Sequence, residues 1–334
     1  MPAHDRPTIR TVADHAGVSK SLVSLVLQGS DRVRAETRDR VLQAIDELGY
    51  APNAWAQSLG ARRSRLVGVV MDDLRNPWYI DCLDALAGRL VRAGRRVLVL
   101  DGRINEGVDD ALVASILSLG VEGIVAMGSL SASRDLERAM RSIPTVAAAG
   151  RDIDIDVVDV IAADDVDGAR LAVRHLAERG HRRIAHIAGW GPEVARLRRR
   201  GFEEACQELD VEVAGIEPED MTEDGGHRAA RRLLDGANPP TAVFAVNDVS
   251  AIGVLSAARE LGLSVPGDLA VIGFDDIPSA RSRLVDLSTI DIANAAVGAR
   301  AAEALLARIE DPGRPRTVDL LPPTVLERGS TAAG

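Results

Sequence analysis

Side chains capable of acid–base, nucleophilic or metal chemistry are present in this 334-residue chain, but not in working combinations. Its six His residues show no metal-ligand spacing, no Ser-His-Asp set falls on a strand-to-helix elbow, and no phosphate-cradling Gly loop follows a strand. His181 and His186 flank a predicted strand and read as packed or solvated. Cys82 and Cys206 fall on predicted helices in different halves of the chain, which suits a reducing compartment better than a disulfide. The catalytic and metal sets are therefore expected to be empty, with no cofactor and no enzymatic activity.

What chemistry there is lies in recognition. The chain has three Trp, two Tyr and three Phe, so large rings are scarce and their positions are informative. Trp78 and Tyr79 follow a predicted strand at 66–71, Trp190 follows one at 183–188, and Phe274 follows one at 269–273. Asp72, Asp101 and Asn247 stand at similar strand ends, Asn247 reading equally well as the cap of the next helix. Apolar rings with a few convergent polar groups describe a small-molecule site.

A second kind of recognition is written into the first sixty residues. Two short apolar-periodic segments, 9–16 and 20–27, flank a turn containing Gly17 and ending in Ser19, which reads as a helix-turn-helix. Ser19 caps the second helix, and Lys20, Ser21 and Leu25 are expected to project from its early turns, where side chains reach base edges in the major groove. Val12, Ala13, Ala16, Val18, Val23 and Val26 should face inward. A third helix at 35–48 should close the miniature core with Val41, Leu42, Ile45 and Leu48. Residues 53–59 carry too little apolar surface to fold alone and should order only when docked.

These sites need a scaffold, and from Leu66 onward apolar runs alternate with longer amphipathic stretches. Runs at 66–71, 96–100, 123–126 and 145–148 form one series; 157–162, 183–188, 211–216, 241–246 and 269–273 form a second. The segment 287–292 should cross back to the first lobe, followed by a helix at 293–308 and strands near Val318 and Val325. Two parallel sheets built from βαβ units are the economical solution, with ligand beyond the carboxyl ends of the strands.

The net charge of −10 argues against nucleic acid only when read for the whole chain. Residues 1–65 carry ten Lys and Arg against seven Asp and Glu, so a basic head is masked by an acidic body. Such a head needs base contacts to become selective, because phosphate contacts alone are salt-sensitive and sequence-blind. The polar N-terminus shows no export signal and no run is long enough to span a bilayer, so a cytoplasmic protein without membrane contact is expected.

The spacing of Val12-Ala13, Ala16-Gly17-Val18-Ser19, Thr37-Arg38, Gly49-Tyr50, Pro52-Asn53, Ala56 and Leu59 resembles the lactose-repressor family of bacterial transcription regulators. The resemblance continues through Asn76-Pro77, Gly201-Phe202, Val246-Asn247-Asp248, Val265-Pro266-Gly267-Asp268 and Ile272-Gly273-Phe274-Asp275-Asp276. It implies a helical helix-turn-helix head at 1–49 and a hinge helix and linker at 50–64. The implied α/β body resembles periplasmic binding proteins, with one lobe at 65–162 plus 292–322 and the other at 163–291 plus 323–330.

The resemblance also implies roles. The DNA-facing set is Thr8, Ser19, Lys20, Ser21, Ser24, Leu25 and Gln28 in the head, with Asn53, Ala56, Gln57 and Leu59 in the hinge. Leu59 would be a minor-groove wedge. Arg198 and Asp275 match family positions that commonly hold ligand, and Met221 stands where some members stack an aromatic ring on it. With Asp72, Trp78, Tyr79, Asp101, Trp190, Asn247 and Phe274 they form the expected effector set.

Leu22 and Leu25 replace a frequent Thr and Arg, Gln28 replaces a frequent Asn, and Ile292 replaces a frequent Gln. The implied activity is repression: a homodimer binds a palindromic operator and answers to a sugar or related effector, a nucleoside or purine co-repressor being the alternative. A leucine heptad tail is absent, which favours a dimer over a tetramer. An exported solute-binding protein would lack the head, and a constitutive DNA binder would lack the response to effector.

Overall fold

The computed structural model describes residues 7–27, 30, 32–50, 64–102, 110–128, 134–151, 153, 155–191 and 193–332. Gln28, Asn53, Ala56, Gln57 and Leu59 lie outside the described residues. Residues 1–64 and 65–334 form two separate units.

In the head, α1 (Ile9–Ala16), α2 (Lys20–Leu27) and α3 (Ala35–Glu47) enclose Val12, Ala13, Val23, Val26, Val41 and Ala44, with Val33 and Tyr50 completing the core. Thr8 caps α1 through a reciprocal pair with Thr11, and Gly17 ends it at φ 64°, a conformation glycine adopts without Cβ strain. Ser19 Oγ accepts the Leu22 N–H at the start of α2. Leu42 is exposed instead of buried, since the face of α3 that meets the core runs through Val41, Ala44, Ile45 and Leu48. Ala16 and Val18 are half-buried at the edge of the same core.

The body contains two six-stranded sheets. The first takes the order β2-β1-β3-β4-β5-β11, from β1 (Leu66–Met71), β2 (Arg96–Asp101), β3 (Gly123–Met127), β4 (Thr145–Ala148), β5 (Asp159–Ala163) and β11 (Val318–Leu321). The second repeats the pattern as β7-β6-β8-β9-β10-β12, from β6 (Arg183–Gly189), β7 (Glu212–Glu219), β8 (Ala242–Ala245), β9 (Ala270–Phe274), β10 (Ser288–Asp291) and β12 (Thr324–Leu326). Each order reverses beside its first strand, and the crevice at that reversal is where open α/β sheets bind ligands.

The connecting helices are α4 (Tyr79–Arg92), α5 (Asp110–Ser118), α6 (Arg134–Ser142), α7 (Asp165–Glu178), α8 (Glu193–Glu208), α9 (Glu223–Leu234), α10 (Asp248–Glu260) and α11 (Asn294–Glu310). The chain crosses between lobes after β5, after β10 and after β11. The first two crossings lead into helices that return the chain to the far end of a sheet. The third, through Pro322-Pro323, has no helix, so β12 enters the second sheet from the cleft side and runs antiparallel to β10. Every other described pairing is parallel.

Helix pairs close on one another at glycines. A Cβ on Gly298 of α11 would lie 2.0 Å from the Cys82 carbonyl oxygen of α4, and one on Gly201 of α8 would lie 2.3 Å from that of Val166 on α7. Cys82 and Cys206 are both buried and unlinked. In the second lobe His186 is fully buried between the rings of Phe202 and Phe244, at 5.0 and 4.7 Å. Its Nδ1 lies 2.9 Å from the Phe244 carbonyl oxygen, an obligate acceptor, so Nδ1 carries the proton and Nε2 is left bare.

Burial pulls the His186 imidazole down to about 4, and burial with Arg179 nearby does the same for His175. Both rings stay neutral in the fold while an unfolded chain protonates them below the ordinary value of 6.5. Stability is therefore complete above pH 6.5 and falls as the pH drops from there toward 4, by at most about 1.4 kcal/mol per pH unit for each ring. Urea unfolding of His186→Phe between pH 7 and 4.5 should show a shallower acid limb than the unmodified chain. An identical slope would contradict this.

Candidate effector cavity

A cavity of about 830 Å³ opens between the two sheets at the carboxyl ends of their strands. On the first-lobe side β1 delivers Asp72, whose Oδ1 accepts the Tyr79 hydroxyl; that hydroxyl also faces the Met127 carbonyl oxygen at 3.3 Å. The close fit depends on Gly128, which sits at φ 81° and has no Cβ to collide with the hydroxyl. Asn76 receives the Trp78 N–H on its side chain and the Tyr79 N–H on its carbonyl, turning the chain from β1 into α4. The Trp78 ring tilts against Tyr79 at 4.3 Å and touches apolar residues of both lobes. Burial, with Asp72 beside it, raises the Tyr79 phenol well above its ordinary range, so it acts as a donor.

On the second-lobe side Met221 leans on Gly189 at the end of β6, and Trp190, 63% exposed, stands at the rim. Arg198, Val194, Thr222 and Val249 complete that wall.

The floor is ionic and buried. Arg198 Nε donates to Asp165 Oδ1 at 2.9 Å, Nη2 to Asp275 Oδ1 at 3.1 Å and Nη1 to the Val246 carbonyl oxygen at 2.6 Å. The guanidinium carbon lies 3.7 Å above the centre of the Phe274 ring. From the first lobe Arg151 reaches the other oxygen of Asp165 at 2.5 Å. Burial opposes the Arg198 charge, but Asp275 and Asp165 outweigh it and hold the group above its ordinary range. Burial pushes the Asp275 carboxyl up to about 6 against the pull of Arg198, and it pulls the Arg151 guanidinium down.

Asp275 also adopts φ 108°, a conformation that costs a side-chain-bearing residue about 1–3 kcal/mol. Three contacts impose it. The Asp275 N–H donates to the Ile290 carbonyl, the Asn294 amide donates to the Asp275 carbonyl, and buried Asp248 accepts the Ile277 N–H.

The structure brings Asp72, Trp78, Tyr79, Trp190, Arg198, Met221 and Asp275 to one cavity. Three expected residues do not line it. Phe274 points into the second-lobe core beneath Arg198, because successive residues of a strand face opposite sides. Asn247 is buried, capping α10 through the Ser250 N–H and donating to the Met221 carbonyl. Asp101 accepts the Leu74 N–H at 3.0 Å and braces the β1–α4 loop from behind. Arg151, Gly128 and Asp165 were not singled out from the sequence, and no local pattern marks them; their importance is set by partners far away in the chain.

In the head, Lys20 and Ser21 are exposed at the start of α2, and Ser24 is half-buried. Leu25 does not project freely: with Leu22 it packs partly against the head core, a consequence of apolar residues on the face where polar ones would stay in solvent. Thr8 is exposed, with its hydroxyl engaged by Thr11.

Residues 8–53 match the family model described as bacterial regulatory proteins, lacI family, and residues 173–331 match the periplasmic binding protein-like domain. The chain is 32% identical over 332 residues to the HTH-type transcriptional repressor PurR of Mannheimia succiniciproducens, covering 96% of this chain and 98% of the relative. The lac repressor dimer bound to operator and the anti-inducer ONPF superposes with a TM-score of 0.82 at 28% identity, over 98% of this chain and all of that one. A complex of the transcriptional regulator CelR with cellobiose matches at TM-score 0.72 and 30% identity, over 97% of this chain and all of that one.

Asp165 answers two guanidinium groups and Asp275 one, so their removal should differ in cost. Asp165→Asn should destabilise the body by about 3–5 kcal/mol, as when one partner of a buried ion pair is lost. Asp275→Asn should cost clearly less, because burial already disfavours its charge. Urea midpoints of the two variants test this, and a reversed order would refute the assignment of Asp165 as the keystone.

Proposed function

We propose, from the premise that the chain belongs to the lacI family of bacterial regulatory proteins and is an effector-controlled, DNA-binding transcriptional repressor, that its effector is a sugar or other polyol held in the interlobe cavity. The observation that carries this reading is the pairing of Arg198 and Asp275 on the cavity floor. Their donor and acceptor lie 3.1 Å apart, so one presents N–H groups and the other a carboxylate to neighbouring hydroxyls. The rings of Trp78 and Trp190 offer apolar faces to the C–H side of such a ligand.

The active form is a homodimer whose two heads read a palindromic operator in the cytoplasm, with Lys20 and Ser21 at the base edges. The family resemblance makes 50–64 the hinge and linker and Leu59 a minor-groove wedge; Leu59 lies outside the described residues. Effector binding changes lobe closure, and this alters the separation of the two hinges. Such coupling is typically about 1–3 kcal/mol.

A thermal-shift screen of the full chain against sugars, polyols, nucleosides and purines tests the effector class, since ligand at about 100 times its Kd adds about 2.7 kcal/mol. Stabilisation by polyols alone supports the reading, and stabilisation by purines alone refutes it. Asp275→Ala should abolish effector-dependent release in a mobility-shift assay while operator binding persists. Leu59→Ala should weaken operator binding about tenfold or more with effector affinity unchanged; undiminished operator binding would dispose of the wedge.

A further inference from the structure

The charges around the cavity are arranged against an anion. Among the described residues, Arg75, Arg151 and Arg198 are the cations on its wall, and each already faces a carboxylate of the protein. Arg75 forks onto Asp73 at 3.0 and 2.5 Å, Arg151 meets Asp165, and Arg198 lies between Asp165 and Asp275. Among the described residues, five carboxylates share the wall with these three guanidinium groups: Asp72, Asp73, Asp220, Glu223 and Asp275, of which Asp220 is paired with Arg228 behind the wall. Asp72 is held by the neutral Tyr79 hydroxyl and the Asp73 N–H, with no cation bonded to it among the described residues.

The helix termini point the same way. In folds of this kind the helices that leave the strand ends direct their free N–H groups and positive dipole ends at the ligand, a ready anion site. Here acids of the chain itself crowd those ends and repel a second anion. The first turns carry Asp81 in α4, Asp165 and Asp167 in α7, Glu193 in α8, Glu223 and Asp224 in α9, and Asp248 in α10. The first turn of α11 has no acid, but it opens with Asn294, whose amide is committed to the Asp275 carbonyl.

A phosphate or carboxylate entering this space meets guanidinium groups that each already face an internal carboxylate, together with carboxylates that repel it. Beyond these pairs the wall offers one buried N–H without a hydrogen-bond partner, the Arg151 Nε–H, on a guanidinium already facing Asp165, and the carboxylates of Asp72 and Asp275 as acceptors. We infer that the effector is an uncharged or cationic polyhydroxy compound and that the cavity rejects phosphorylated and carboxylated forms of the same skeleton. This rests on the reading of the cavity as a polyol-effector site.

The test is a matched panel titrated into the full chain by calorimetry: glucose, glucosamine, glucose 6-phosphate and glucuronate; ribose and ribose 5-phosphate; myo-inositol and its monophosphate; cellobiose; and inorganic phosphate alone. In whichever set responds, the neutral or amino form should bind at least about tenfold more tightly than the anionic form, because like charges must be brought together in the latter. Glu223→Gln, at the rim, should narrow that gap by strengthening the anionic form. Equal or tighter binding of the phosphorylated or carboxylated member, or binding of inorganic phosphate that is lost in Arg198→Gln, overturns the inference while leaving the polyol reading intact. Silence from every member overturns the polyol reading itself.

Discussion

The body is organised around one buried ionic contact, the chain Arg151–Asp165–Arg198–Asp275. Each of these charges has lost most of its water, a cost of several kcal/mol per ion that is offset only when all partners are in place. Its members come from the loop after β4, the first interlobe crossing, the middle of α8 and the end of β9. Asn294, at the start of the helix after the second crossing, ties in through the Asp275 carbonyl. The network therefore permits one arrangement of the connecting strands and makes that arrangement the floor of the cavity. A ligand that bonds to Arg198 or Asp275 acts directly on the groups that hold the two lobes in register.

A second contact between the lobes is of a different kind. Arg281 bonds both Asp276 of its own lobe and Asp81 of α4, with Arg328 on the other oxygen of Asp276. Arg281 is part-exposed, so this bridge is screened and weak. The lobes are thus joined by a strong buried network at the cavity floor and a weak, part-exposed bridge between Asp81 and Arg281. Trp78, in contact with apolar residues of both lobes, supplies the apolar counterpart of that bridge.

Around this centre the packing is economical in large side chains. With few rings in the chain, the helices approach at glycines such as Gly201 and Gly298, and the cores fill with Val, Ala, Leu and Ile. The rings that exist are concentrated at His186, Phe202, Phe244 and Phe274, a stack that ends directly beneath Arg198. The aromatic core of the second lobe is therefore also the platform for the cavity floor.

Much of this was legible in the residues alone, because it depends on local periodicity. The bounds of α1 and α2 follow from their apolar spacing and from the Gly17 and Ser19 signals, and most strands follow from short apolar runs between amphipathic stretches. The family resemblance located Arg198 and Asp275, and strand-end logic located Asp72, Trp78, Tyr79 and Trp190. Tertiary structure alone decided which side chain at a strand end turns inward: Phe274 enters the core and Asp275 the cavity because the pleat reverses direction at each residue. It also decided that Leu25 packs against the head and that β12 runs antiparallel. The importance of Arg151 and Asp165 was invisible in sequence for the same reason, since an ion pair is defined by where distant segments meet and leaves no periodic trace in either of them.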